Sequence, residues 1–175
     1  MEKGLIHIYE GEGKGKTTTA TGLTVRCAGW GGKVLFTQFL KDNSSSELKI
    51  LQQIDNIHVL LCDKPIGFTF NMNEEEKAEV REICNAHFDK VTKAAIDEQV
   101  DMLVMDELMA TYNHNFVDHD KVIDFLKNKP ESLEVVMTGR NAPKELVDLA
   151  NYVSNIQKIK HPYDEGIHAR KGIEK

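Results

Sequence analysis

Short apolar runs alternate along the chain with segments of helical periodicity. Strands are predicted at residues 5–9, 33–39, 57–61, 102–105, 133–137 and 153–159. Helices are predicted at residues 17–30, 74–98, 120–127 and 143–151. Because apolar strands that alternate with helices are typical of a mostly parallel sheet with helices on both faces, the pattern predicts an α/β fold.

Local signals refine two of these helices. Asn73 is the expected N-cap of the long helix, followed by three glutamates whose charge suits the helix N-terminus. His87 lies on the apolar face of that helix and is expected to be a core or boundary histidine rather than a ligand. Pro143 is expected in the first turn of the last predicted helix.

Composition narrows the functional classes. The chain has 175 residues, which suits a single domain spanning residues 1–175. Its net charge of −6 argues against binding to nucleic acid or to an anionic membrane, and the N-terminal apolar run is too short for a signal peptide or a spanning helix. Cys27, Cys62 and Cys84 form no CxxC pair and suit reduced thiols, so a cytoplasmic location is expected.

A glycine-rich segment follows the first strand and opens a helix, which is the context of a phosphate-binding P-loop. Its glycines let backbone amides approach phosphate oxygens, Lys16 can neutralise phosphate charge, and the Thr17 hydroxyl can ligate Mg²⁺. Glu10 stands where the P-loop pattern has its first glycine. The expected nucleotide-binding residues of this segment are Gly11, Glu12, Gly13, Lys14, Gly15, Lys16, Thr17 and Thr18.

A second acidic position lies at the end of the apolar strand 102–105. Asp106 and Glu107 follow it directly, where P-loop enzymes place a metal-binding carboxylate. Both are therefore candidate metal ligands together with Thr17. The sequence pattern leaves open which acid holds the metal and which acts in another way.

Several motifs in order give the chain a family resemblance over nearly its whole length. Besides the P-loop they are QFLK at 38–41, GFTF at 67–70, MDEL at 105–108, TGR at 138–140 and a C-terminal pattern that includes Lys160, His161, Gly166 and Ile173. The chain resembles the P-loop type ATP:corrinoid adenosyltransferases. This resemblance implies a RecA-like P-loop NTPase fold and a homodimer.

The resemblance also implies a reaction and a set of binding residues. In this family a reduced corrinoid attacks C5′ of ATP, the adenosyl group becomes bound to cobalt, and triphosphate leaves whole. ATP and Mg²⁺ or Mn²⁺ are thus implied, with Thr17 and Glu107 as metal ligands. Arg26, Gln38, Lys41 and Arg140 are implied as nucleotide-binding residues.

A third implication concerns reduction of the corrinoid. Aromatic residues of a Phe-Thr-Trp loop are thought to displace the lower axial ligand, so that cobalt is reduced more readily. Here that loop reads Phe68-Thr69-Phe70, so Lys16, Phe68 and Phe70 are the expected catalytic residues. A flavin-type reductase is the implied electron source. Asn155 stands where the family commonly has an acid, and no role is assigned to it.

Two other classes of function compete with this one. The first is a different P-loop phosphotransferase or ATPase acting on a small molecule, in which Glu107 would serve as a base or position water. The second is a nucleotide-dependent binding module with little turnover. The products separate the classes, because an adenosyltransferase releases triphosphate, whereas a phosphotransferase or ATPase forms ADP.

Overall fold

The computed structural model describes residues 3–64, 66 and 72–174. Within these ranges, six parallel strands form one sheet in the order β3-β2-β4-β5-β1-β6. The strands are β1 Ile6–Glu10, β2 Val34–Gln38, β3 Ile57–Val59, β4 Met102–Asp106, β5 Glu134–Gly139 and β6 Tyr152–Asn155. The predicted α/β class and the parallel sheet are confirmed.

Helices cover both faces of this sheet. They are α1 Lys16–Trp30, α2 Leu48–Leu51, α3 Glu74–Asp97, α4 Leu108–Asn113, α5 His119–Asn128 and α6 Lys144–Leu149, followed by a 3₁₀ helix at Pro162–Glu165. One core packs α3, α5 and α6 against one face of the sheet, and a second packs α1 and α2 against the other. Each face therefore has its own apolar layer, which accounts for the continuous apolar strands.

Burial follows the position of each strand in the sheet. Every residue of the central strands β2 and β4 is buried, whereas all four residues of the edge strand β6 are exposed. The carboxyl ends of β1, β4 and β5 meet at one edge, because the three strands are parallel neighbours. Ligands of such sheets bind beyond that edge.

The start of α3 and the place of His87 agree with the sequence. Asn73 Oδ1 accepts a hydrogen bond of 2.9 Å from the amide of Glu76, and the Glu76 carboxylate accepts one of 2.8 Å from the amide of Asn73. This capping box confirms the predicted N-cap. His87 is buried and hydrogen-bonded to the Thr37 hydroxyl at 2.7 Å, which confirms it as a core histidine.

Other elements differ from the prediction. The short helices α2 and α4 and the 3₁₀ helix were not predicted, because four to six residues are too few for a periodic pattern. The last strand ends at Asn155 rather than 159, since the chain leaves the sheet there to contact the P-loop. Pro143 is the N-cap of α6 with extended backbone, so its predicted place in the first turn was wrong by one position.

Two further observations bear on the sequence analysis. Cys27, Cys62 and Cys84 are all free thiols, and the first and last are buried. In the part of the chain that the structure describes, no helix has both the length and the apolar character needed to cross a membrane.

Candidate nucleotide site

The glycine-rich loop joins β1 to α1 at the carboxyl edge of the sheet. Gly11 and Gly15 have φ angles of 116° and 125°, a region that side chains disfavour, so glycine is required at both. A Cβ atom on Gly13 would lie 2.6 Å from the carbonyl oxygen of Gln157. The loop therefore needs glycine at Gly13 for space and at the other two positions for conformation.

The chain after β6 holds this loop from the outside. The Gly13 amide donates a 2.7 Å hydrogen bond to the carbonyl of Ile156, whose own amide donates to the carbonyl of Glu10 at 2.8 Å. The Glu10 carboxylate accepts hydrogen bonds from the Asn155 side chain and from the Ala142 amide. Glu10 and Asn155 thus brace the loop, a role that the sequence analysis missed at both positions.

Lys16 lies across the loop. Its Nζ donates hydrogen bonds of 2.7 and 2.9 Å to the carbonyls of Gly11 and Gly13, and the residue is buried. Burial lowers the pKa of Lys16 below its ordinary value, and the Arg140 charge adds to this, whereas the Glu107 carboxylate opposes it. A partly desolvated ammonium group is therefore held where phosphate charge is expected.

Asp106, at the end of β4, is fully buried and accepts four hydrogen bonds. Its Oδ1 accepts from the hydroxyls of Thr17, at 2.9 Å, and Thr138, at 2.7 Å. Its Oδ2 accepts from Gln38 Nε2, at 3.0 Å, and from Lys41 Nζ, at 2.7 Å. Burial lowers the pKa of Lys41, but the charge and hydrogen bond of Asp106 outweigh it, so this pKa is raised. The carboxylate therefore joins β2, β4, β5 and α1.

Glu107 stands between β4 and α4 with a left-handed backbone, at φ 61°. Its amide donates a 2.9 Å hydrogen bond to the Thr138 hydroxyl, which in turn donates to Asp106. Its side chain lines the cleft beside the P-loop. Burial raises the pKa of Glu107, as does the Asp106 charge, against the opposing charges of Lys41, Lys16 and Arg140.

These groups surround a cleft of about 190 Å³ beside the P-loop. Arg140 and Glu12, both exposed, form a 2.8 Å ion pair there. The lining residues are Glu12, Gly13, Lys14, Gly15, Lys16, Thr17, Thr18, Glu107, Arg140, His161, Ile173 and Glu174. The structure thus brings together most of the P-loop candidates with one acid and one arginine that are distant in sequence.

Five of the described candidate positions do not line the cleft, and one of them is Gly11 of the P-loop, whose carbonyl accepts a hydrogen bond from Lys16. Arg26 is exposed on α1, ten residues beyond Lys16 and thus about 15 Å along the helix axis. Gln38 and Lys41 contact Asp106 and are not among the residues that line the cleft. Asp106 is fully buried and also does not line it. The predicted corrinoid-side residues Phe68 and Phe70 fall outside the described residues.

The outer wall of the cleft comes from the end of the chain. His161, which belongs to the C-terminal pattern of the family resemblance, lines the cleft with Ile173 and Glu174. Hydrogen bonds from Arg170 lower the pKa of Glu174 to about 2. Glu174 had not been singled out, because nothing local marks a residue placed more than 150 positions after the P-loop.

A glycine loop that opens a helix, next to strand-end carboxylates of a parallel sheet, defines a P-loop nucleotide-binding protein. The fold is similar to that of EssC (ATPases 2 and 3) from Geobacillus thermodenitrificans, with a TM-score of 0.53 and 14% identity, over 97% of this chain and 35% of that one. The cytoplasmic domain of EssC also gives a TM-score of 0.53, at 18% identity, over 98% of this chain and 37% of that one. This likeness establishes the fold alone.

Sequence comparison is more specific. Residues 2–174 match the family model of the ATP:corrinoid adenosyltransferases BtuR/CobO/CobP. The corrinoid adenosyltransferase of Escherichia coli K12 is 30% identical, and the corrinoid adenosyltransferase CobA of Salmonella typhimurium 31% identical, each over 99% of this chain and 86% of the relative. The chain belongs to the ATP:corrinoid adenosyltransferase family, as the motifs indicated.

Proposed function

We propose that the protein transfers the 5′-deoxyadenosyl group of ATP to the cobalt of a reduced corrinoid and releases triphosphate, in adenosylcobalamin synthesis or salvage. The observation that carries the proposal is a cleft lined by the P-loop, Glu107 and Arg140 in a chain whose residues 2–174 match the adenosyltransferase family model. Relatives over almost the full chain bear the name corrinoid adenosyltransferase.

The chemistry asks for positioning and charge stabilisation. The Co(I) electron pair attacks C5′ of ATP, the cobalt–carbon bond forms, and the C5′–oxygen pair departs with triphosphate. No general base is needed, because the nucleophile carries no proton. The P-loop amides, Lys16 and Arg140 are the groups that stabilise the departing triphosphate, since they line the cleft with hydrogen-bond donors and positive charge.

The residues at the cleft fit a Mg²⁺ or Mn²⁺ ion held by Thr17 and Glu107. The Thr17 hydroxyl donates a hydrogen bond to Asp106 and so keeps its lone pairs for a cation, and Glu107 adds a carboxylate beside it. In residues 3–64, 66 and 72–174 no cluster of three or more His, Cys, Asp or Glu side chains suits a metal. Phosphate oxygens and water would therefore complete the coordination, as Mg²⁺ prefers. When bound, the ion supplies further charge neutralisation on triphosphate.

The corrinoid-side residues belong to the same proposal. Phe68 and Phe70 would meet the corrinoid, and a flavin-type reductase would deliver electrons. Ile66, just before them, is buried against Val80, Cys84 and Phe116, so the described end of that segment is anchored to α3.

A cytoplasmic homodimer completes the proposal. The free thiols suit a reducing compartment. Trp30 of α1 and Tyr152 of β6 are 74% and 52% exposed, and large aromatic residues are enriched in protein interfaces. These exposed side chains support contact with a second copy.

The decisive experiment supplies ATP, Mg²⁺ and chemically reduced cob(I)alamin. We expect a light-sensitive cobalt–carbon bond in the absorption spectrum and one triphosphate per adenosyl group transferred. ADP and phosphate with an unchanged corrinoid spectrum would instead identify a phosphotransferase or ATPase. Nucleotide binding without any product would identify a binding module.

A further inference from the structure

Lys41 forms an ion pair with Asp106, the buried acid at the end of β4 behind the P-loop. It lies three residues after β2, and its Nζ is 2.7 Å from Asp106 Oδ2. The Asp106 side chain is 0% exposed and that of Lys41 is 23% exposed. An ionised carboxylate at such depth requires a charged or strongly donating partner.

The remaining contacts of Asp106 leave it no free acceptor direction. A carboxylate offers about four lone-pair sites. Thr17 and Thr138 donate to Oδ1, while Gln38 and Lys41 donate to Oδ2. A cation that reached Asp106 directly would have to displace one of these donors, and Lys41 already holds a positive charge there.

The local backbone supports a built arrangement. Leu40 has a left-handed φ of 48°, and such strain persists only where the surrounding structure enforces it. The preceding amide, that of Phe39, donates a 2.9 Å hydrogen bond to the carbonyl of Asp106. The turn at Leu40 therefore places Lys41 over the end of β4.

We propose that Lys41 is a positioning residue of the nucleotide site that acts through Asp106. Its ammonium group fixes the carboxylate, the carboxylate accepts the hydrogen bond of the Thr17 hydroxyl, and Thr17 thereby presents its lone pairs to the cation that accompanies ATP. Asp106 is then an orienting acid rather than a metal ligand, and Lys41 is not a phosphate ligand. The inference rests on one part of the proposed function, namely that the site binds Mg–ATP.

A double-mutant cycle measured by calorimetry tests this. Lys41→Met, Asp106→Asn and the double variant are titrated with ATP, once with Mg²⁺ and once with a chelator. We expect each single change to weaken Mg–ATP binding about tenfold, and the double variant to bind no more weakly than the worse single variant. With metal-free ATP the double variant, which leaves no buried charge unpaired, should match the wild type.

Other results would overturn the proposal. A direct Lys41–phosphate contact predicts losses that multiply in the double variant and weaker binding of metal-free ATP. A metal-ligating Asp106 predicts that Asp106→Asn is harmful while Lys41→Met tightens Mg–ATP binding. Lys41→Arg retains the ion pair and should bind Mg–ATP more tightly than Lys41→Met. If it binds equally weakly, the positioning role is wrong.

A control variant and a fallback comparison keep the result interpretable. Lys144→Met removes an exposed ion pair with Asp148 and should leave both titrations unchanged. Should Lys41→Met fail to fold, the double variant is compared with Asp106→Asn alone, and weaker Mg–ATP binding by the double variant would overturn the proposal. Both readouts are ATP binding, so a protein that binds Mg–ATP but does not alkylate cob(I)alamin refutes the proposed function without touching this inference.

Discussion

The inner and outer walls of the nucleotide cleft are built in opposite ways. On the inner side, Lys16 lines the cleft and Asp106 lies directly behind the lining; both are buried, and their hydrogen bonds to neighbouring groups measure 2.7–3.0 Å. On the outer side, residues 157–173 are almost all exposed and held by local ion pairs such as Lys158–Asp164 and Arg170–Glu174. Buried networks fix geometry, whereas exposed pairs contribute little stability. The inner wall is therefore expected to set the chemistry and the outer wall to adjust around the substrate.

The largest loss of activity is expected from a substitution of Lys16, on the inner wall. We expect Lys16→Ala to lower kcat/KM for ATP roughly 100-fold or more, because a buried positive charge on the triphosphate is lost. Lys14→Ala, which removes an exposed lysine of the same loop, should cost far less. Steady-state kinetics measures both variants. Equal losses would mean that burial does not distinguish the two lysines.

His87 lies behind the inner wall and tests the buried side through pH. Burial lowers its pKa from 6.5 to about 4, with a further lowering by Lys90 against Asp63. Between pH 6.5 and pH 4, His87 is therefore protonated in the unfolded chain but stays neutral in the folded chain. The free energy of unfolding consequently falls as the pH drops from 6.5 towards 4. The loss should approach about 3 kcal/mol.

Urea unfolding of the wild type and His87→Gln at pH 7.5 and pH 4.5 measures this difference. The variant should lose less stability on acidification than the wild type does. His114→Gln, at an exposed position, should keep the wild-type pH dependence. Parallel curves for the wild type and His87→Gln would contradict a buried neutral imidazole.

Gly13 is where the two walls meet. Gly13→Ala would drive a Cβ to within 2.6 Å of the Gln157 carbonyl and break the 2.7 Å hydrogen bond to Ile156. We expect a loss of about 2 kcal/mol in the free energy of unfolding, together with weaker ATP binding.

Gly22→Ala is the matched control, because a Cβ atom at Gly22 would meet only open space and because alanine favours the helical conformation of α1. A neutral Gly13→Ala would show that the walls are not tightly joined.

The smallest effect is expected on the outer wall itself. Glu174→Gln removes a negative charge from the cleft. At low salt its KM for ATP should therefore be about twofold to threefold lower than that of the wild type, and at high salt the two KM values should be equal. Glu165→Gln changes an exposed acid of the same segment that does not line the cleft, and it should have no effect. A salt-independent change in KM would argue for a direct contact with substrate instead.

The same division explains what the sequence predicts well. The P-loop, Asp106 and Glu107 follow strands directly, so local pattern and strand order together place them at one edge. Parallel strands with apolar runs on both faces predict the sheet for the same reason. The residues of the inner wall can therefore largely be predicted from the sequence, because they are neighbours either along the chain or across adjacent strands.

The parts that were missed depend on contacts without local signals. The Glu10–Asn155 contact joins residues 145 positions apart, and the sequence analysis assigns Asn155 no role because it stands where the family commonly has an acid. The ion pair of Lys41 with Asp106 joins residues 65 positions apart and has no local signal either. Helix α4 begins after a left-handed Glu107, a conformation that sequence periodicity does not reveal.

That left-handed Glu107 has a consequence for anyone who evolves the protein for heat tolerance. A non-glycine residue at φ 61° costs on the order of 1 kcal/mol, and glycine would relieve the strain. A selection on stability alone should therefore favour replacement of Glu107 by glycine, and so discard the carboxylate that lines the cleft. At position 107 the substitution that raises stability is thus expected to lower activity, so a screen should measure both properties.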